Sequence, residues 1–343
     1  GSNNVGVGMG ALGANTTASA NTAVGYQSFA ALTTGTRNTG LGYHSGLSAT
    51  SNDNVVVGYA AAEALTSGSS NIIIGSKSGQ NLTEGNNNVV MGVEALDADT
   101  LGDRNVAIGN QALSAQNFTS STDVYNVAIG HQALTSSTTG NKSVAVGGLA
   151  LQSNTTGSSN VAIGYQTLDA NTTASYNTAI GNQAMGNNVD GSRNTAVGYA
   201  ALFTMDPNSA TDTYNTAVGF ESLKLNTTGT NNTAVGALSL DANTTGENNA
   251  SLGASSLGAN TTGSSNTALG MNALRDNTTA DNNTAVGLNA LLATTTGSSN
   301  TAIGVEALKD NSTGTNNVAV GENALANNTT AGENTAVGQN ALL

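Results

Sequence analysis

Along the whole chain, pairs of apolar residues separated by one small residue return between polar stretches at a fixed interval. The string Asn-(Thr/Val)-Ala-(Val/Ile)-Gly, with substitutions in some copies, recurs twenty times, with motif glycines from Gly8 to Gly338; sixteen of the nineteen intervals are 17 residues, one is 16 and two are 21. Repeats this short cannot each bury a core, so a constant period predicts stacked turns of a solenoid. Position 1 of each turn is its Asn, as in residues 160–176. On that numbering Asn160 is suited to a left-handed turn and to an amide ladder from turn to turn. Positions 2 to 4 read as a short strand, with Ala162 on one face and Ile163 on the other. Both faces are apolar, which predicts a strand covered on both sides. Gly164 at position 5, like Gly198, Gly236 and Gly304, marks a backbone with positive φ or a chain approach that a Cβ would block. Position 8 is always small, and position 9, Leu168 here, is Leu in fifteen copies; a second short strand is expected there. Positions 12 to 15, often Asn-Thr-Thr-Gly, read as a polar turn.

The apolar positions also trade volume. Small residues at position 9 (Gly46, Ala62, Gly79) are each followed, one turn later, by a large position 3 (Val56, Ile73, Val90), and the oversized Phe29 is followed by Gly40. Two sites that share one closely packed space would behave in this way. Position 9 of each turn is therefore expected to pack on position 3 of the next, with about 4.8 Å between turns.

The pattern predicts an all-β chain, a parallel β-solenoid or β-roll of about twenty 17-residue repeats. Residues 1–343 form a single continuous shaft, with irregular turns at 114–125 and 204–214. It starts and stops in mid-repeat, as a piece of a longer protein would. Composition sharpens this reading: aromatic residues are 3% of the chain and there is no Trp, so the core must be thin. A coil this thin looks marginal alone, which favours several chains sharing one core, with three preferred. A net charge of −13 disfavours nucleic acid and anionic lipid as partners. Without Cys there is neither a disulfide framework nor a thiol metal site, and no apolar run is long enough for a membrane helix.

Asn-Val-Ala-Ile-Gly at 160–164, followed by a small residue three positions on, resembles the head repeats of YadA-type trimeric autotransporter adhesins. The 17-residue period, with the stretches 165–174 and 226–229, is similar to repeats of phage tail fibres and bacterial tail-fibre-domain proteins. The resemblance implies an extended homotrimeric shaft on a virion or bacterial surface, facing the extracellular medium and attaching to a host through a cell-surface glycan or protein receptor. The alternatives are a purely structural extracellular filament and an ice- or calcium-binding solenoid.

No catalytic constellation is expected. Gly6-Val7-Gly8-Met9-Gly10 lacks the Lys-Ser/Thr of a phosphate loop, and His44 and His131 stand far apart. The acidic residues follow no calcium-binding grid. No cofactor is expected. Nine Asn residues at position 12, among them Asn154, Asn243 and Asn311, fit the glycosylation pattern, with turn chemistry as the simpler reading. Thr at position 2 is interrupted in about half the copies, which argues against a regular ice-binding row. The two longer turns share Thr-Asp-x-Tyr and supply scarce aromatics, so Tyr125, Phe203 and Tyr214 are the candidate receptor contacts.

Overall fold

The computed structural model describes residues 1–207, 209 and 211–343; positions 208 and 210, in the second longer turn, lie outside the described residues. The chain is an all-β parallel solenoid with no helix among the described residues. It comprises two compact units, Gly1–Ser175 and Tyr176–Leu343. In each, every motif contributes a three-residue strand, such as Val161–Ile163 or Thr233–Val235, that pairs in parallel register with its counterpart one turn on.

Position 3 points inward. Ala145, Ala162, Ala217 and Ala234 have no exposed surface, and the larger Val56, Ile73 and Val90 fill the same row. The residues paired with it point outward because a strand alternates its faces. Only the inner face is covered within the chain: Ile163 and Ile180, both at position 4, are each 38% exposed.

Positions 8 and 9 do not form the expected second strand. Ala273 and Leu274 are consecutive and both fully buried, which an alternating strand cannot achieve. The chain instead alternates right- and left-handed residues, with positions 7 and 9 at positive φ, as at Asn272 (57°) and Leu274 (53°). A left-handed Leu costs about 1–2 kcal/mol, offset by burial of its side chain and by hydrogen bonds between turns. Leu240 N donates to Ser256 O of the following turn (2.9 Å), and Leu238 N donates to Phe220 O of the preceding one (3.0 Å).

Phe29 explains the volume trade. A Cβ added to Gly40 would lie 2.6 Å from its Cδ2, and one added to Gly46 would lie 2.9 Å from its Cδ1. Position 9 thus reaches both position 3 and position 9 of the next turn. Position 3 and position 9 also meet within one turn, where Ile73 Cδ1 stands 3.3 Å from the place a Cβ on Gly79 would occupy. The motif glycines answer to both reasons for their choice. Gly236 has φ of 134°, and its missing Cβ would sit 2.7 Å from the carbonyl carbon of Gly253; Gly198 and Gly304 are built alike.

Two polar ladders line the interior. At position 1, Asn249 takes the Asn232 Oδ1 with both its backbone N (3.0 Å) and its Nδ2 (3.1 Å), and the Nδ2 also donates to Gly263 O (2.9 Å). Ser143 replaces Asn in one turn and its hydroxyl accepts from Asn160 N (3.2 Å). The second ladder is at position 12, where Asn243 Nδ2 donates to Asn226 Oδ1 (2.7 Å) and to Gly246 O (3.0 Å). Asn154, Asn171, Asn226, Asn243, Asn260, Asn277 and Asn311 are fully buried. Position 12 is therefore an interior position, and these residues are neither surface turn residues nor presented as glycan acceptors.

Because each unit closes its core with its own residues, the thin interior does not require a second chain to complete it. Much of the apolar surface that remains open lies on the outward strand face and at position 6 beside it, as at Met271 and Val305.

Candidate functional site

Two surface features stand out from the regular turns. One is the outward strand face. No charged residue occupies position 2 or position 4 in any of the twenty three-residue strands. The two units differ along it. Position 2 is Val or Ile in eight of ten strands of Gly1–Ser175, and Thr in eight of ten strands of Tyr176–Leu343. Beside it, at position 6, Tyr26, Tyr43 and Tyr59 stack with centroids 5.2 Å apart, and Tyr199 stacks on Phe220 at 5.4 Å.

The other feature is the pair of longer turns. Thr122–Asp123 pairs in parallel with Gly102–Asp103, and Thr211–Asp212 with Gly191–Ser192, so each insertion adds a two-residue strand. Each holds the same cluster. Arg104 Nε donates to Asp123 Oδ1 (2.6 Å), and Tyr125 Oη donates to Asp123 Oδ2 (3.3 Å). Arg193 Nε donates to Asp212 Oδ2 (2.9 Å), and Tyr214 Oη donates to the same oxygen (3.1 Å). The hydrogen bond to its aspartate comes first among the effects that raise each guanidinium's pKa. Arg104 lies 5.8 Å from the Tyr125 ring centroid, while Arg193 lies 4.7 Å over Tyr176.

Of the residues picked from sequence, Tyr125 and Tyr214 are about half exposed and belong to these clusters. Phe203 does not: it stands at position 10, half-buried, with its carbonyl accepting from Asn187 N. Asn160, Ala162 and Leu168 are buried in the repeat interior, whereas Ile163 faces outward. Sequence reasoning missed Arg104 and Arg193. Their signal was the identical spacing Arg-x18-Asp-x-Tyr, with 19 residues from Arg to Asp in both turns.

The first longer turn also disturbs the interior. Asp99, at position 12 of the turn before it, is fully buried. It accepts from Gln116 Nε2 (2.7 Å), Phe118 N (3.2 Å) and Gly102 N (3.3 Å), yet burial raises its pKa. Asn105 has both amide atoms buried without a partner. His44 Nδ1 lies 3.0 Å from Glu63 Oε1 and its ring stacks on Tyr43, whereas His131 is exposed. Among the described residues, no three His, Asp or Glu side chains are grouped to hold a metal ion.

No protein-family model and no curated protein matches this chain.

Proposed function

We propose that this chain is a structural segment of a homotrimeric surface fibre that mediates attachment, outside the cell or on a virion. The observation that supports it is the outward strand face of each unit, apolar or hydroxylic and free of charge through its ten three-residue strands. A face so extended is more than a soluble single chain ordinarily leaves in water. A partner that covers it must itself repeat at the spacing of one strand, about 4.8 Å, and another copy of this chain does. Three copies around an axis would turn these faces inward and leave the longer turns outside. Repetition of the longer turns in each copy would then raise avidity. Ile163→Lys, Ile180→Lys and Val197→Lys, combined in one chain, test this directly. The substitutions place three charges on a face that carries none, and sedimentation should show the assembly dissociating while the circular dichroism of the strands persists. An unchanged assembly would remove the outward face from the interface.

One observation favours a second reading. The Thr row of Tyr176–Leu343 is far more regular than the chain-wide average suggests, and flat rows of hydroxyl and methyl groups suit ice. Thermal hysteresis in dilute solution, abolished by Thr233→Tyr and Thr267→Tyr, would support this reading over the fibre.

A further inference from the structure

The longer turns are the only places where the 17-residue interval lengthens to 21, and both lengthen by the same four residues. Both carry Asp and Tyr at the same separation from an Arg that ends the preceding turn, and both bring these three residues into one cluster. The chain has four Arg and eight Tyr in 343 residues. An Arg-Asp pair also joins turns of ordinary length at Arg37 and Asp53, and Tyr176 ends a 17-residue turn; what the longer turns add is a tyrosine hydroxyl on the same aspartate, in the same arrangement at two separate places.

We propose that each longer turn carries a subsite for a neutral hexopyranose of a surface glycan. The aspartate is the hub. By accepting from both the guanidinium and the phenol, it fixes three side chains that would otherwise rotate freely, which lowers the ordering cost of binding. Among the described residues, neither Arg104 nor Arg193 donates a hydrogen bond from its Nη atoms, so those donors face solvent beside the carboxylate. A guanidinium and a carboxylate side by side offer donors and acceptors to neighbouring sugar hydroxyls. The Tyr125 and Tyr214 rings, 49% and 53% exposed, offer an apolar face for the C–H side of a pyranose. Charge selects the sugar class. Each guanidinium is neutralised by its aspartate within a chain of net charge −13, so an acidic sugar gains nothing and meets repulsion.

This assignment names the ligand class of the attachment reading and rests on it. The test applies the fluorescently labelled full chain to an array of neutral hexose oligosaccharides and their sialylated counterparts, with the sedimentation mass measured on the same preparations. Retention on neutral glycans is expected. Tyr125→Ala with Tyr214→Ala should lower it by about tenfold or more, as loss of an aromatic anchor does, and either single substitution should lower it less. Tyr125→Phe with Tyr214→Phe, which keeps the rings and loses only their hydrogen bonds, should fall between wild type and the double alanine variant, and it guards against misfolding. No retention on neutral glycans, a preference for sialylated ones, or retention untouched by both double variants would overturn the subsite. A single-chain mass would instead overturn the fibre, whatever the array shows.

Discussion

At the scale of single residues, the interior is a set of paired volumes and paired amides. Gly40 exists because the Phe29 ring, together with Ser28 Oγ, occupies the space of its Cβ. Gly40→Ala should therefore destabilise the fold by about 1–3 kcal/mol, the usual cost of overpacking. Adding Phe29→Leu should recover most of that loss, and a double-mutant cycle by denaturant unfolding checks it. This pairing was legible in the sequence because volume leaves a correlated trace. The position-12 ladder was not, since Asn-Thr-Thr-Gly has the composition of an exposed turn. The available signal was that Leu32, Leu65 and Leu82 stand at the same position as Asn243; only an interior amide alternates with Leu. The two ladders also predict a contrast. Asn249→Leu removes the acceptor of Asn266 N and Nδ2 and should cost about 1–3 kcal/mol. Asn105→Leu replaces a buried amide that has no partner and should be neutral or stabilising in the same unfolding measurement.

At the scale of one turn, the strand was legible and the segment after it was not. Period-two alternation defines positions 2 to 4, but two adjacent inward residues at positions 8 and 9 fit no regular element. Left-handed Leu resolves the conflict at a cost that propensity alone would not suggest. The turn also sets the response to pH. Burial raises the pKa values of Asp97, Asp169 and Asp241 at position 10, and that of Asp99 at position 12. Such carboxyls bind protons more readily folded than unfolded. The stability they contribute is complete below the ordinary carboxylate value of about 4 and is lost as pH rises through their raised values. Asp53 and Glu63 act oppositely, held low by hydrogen bonds from Arg37 and Gln80, so their contribution disappears only below about pH 4. The melting temperature should accordingly rise as pH is lowered through these raised values toward the ordinary carboxylate value of about 4. Asp99→Asn should flatten part of that rise, as differential scanning calorimetry would show.

At the scale of the molecule, the parallel solenoid followed from the period, whereas the way it closes did not. A thin core suggested chains sharing one interior. Instead Ala, Leu and Asn of one chain close it, and the proposed contact between copies falls on the outward residues Ile163, Ile180 and their counterparts. The longer turns were legible as irregularities, but the arginines that complete their clusters come from the preceding turn and become neighbours only on stacking. The central claim is that these outward faces meet across copies of the chain. Its most direct test is the mass of the purified chain in native buffer by multi-angle light scattering. A fibre segment of three chains predicts three times 33.7 kDa, unchanged on dilution into the nanomolar range. A mass of one chain, with the outward strand face open to water, would contradict it.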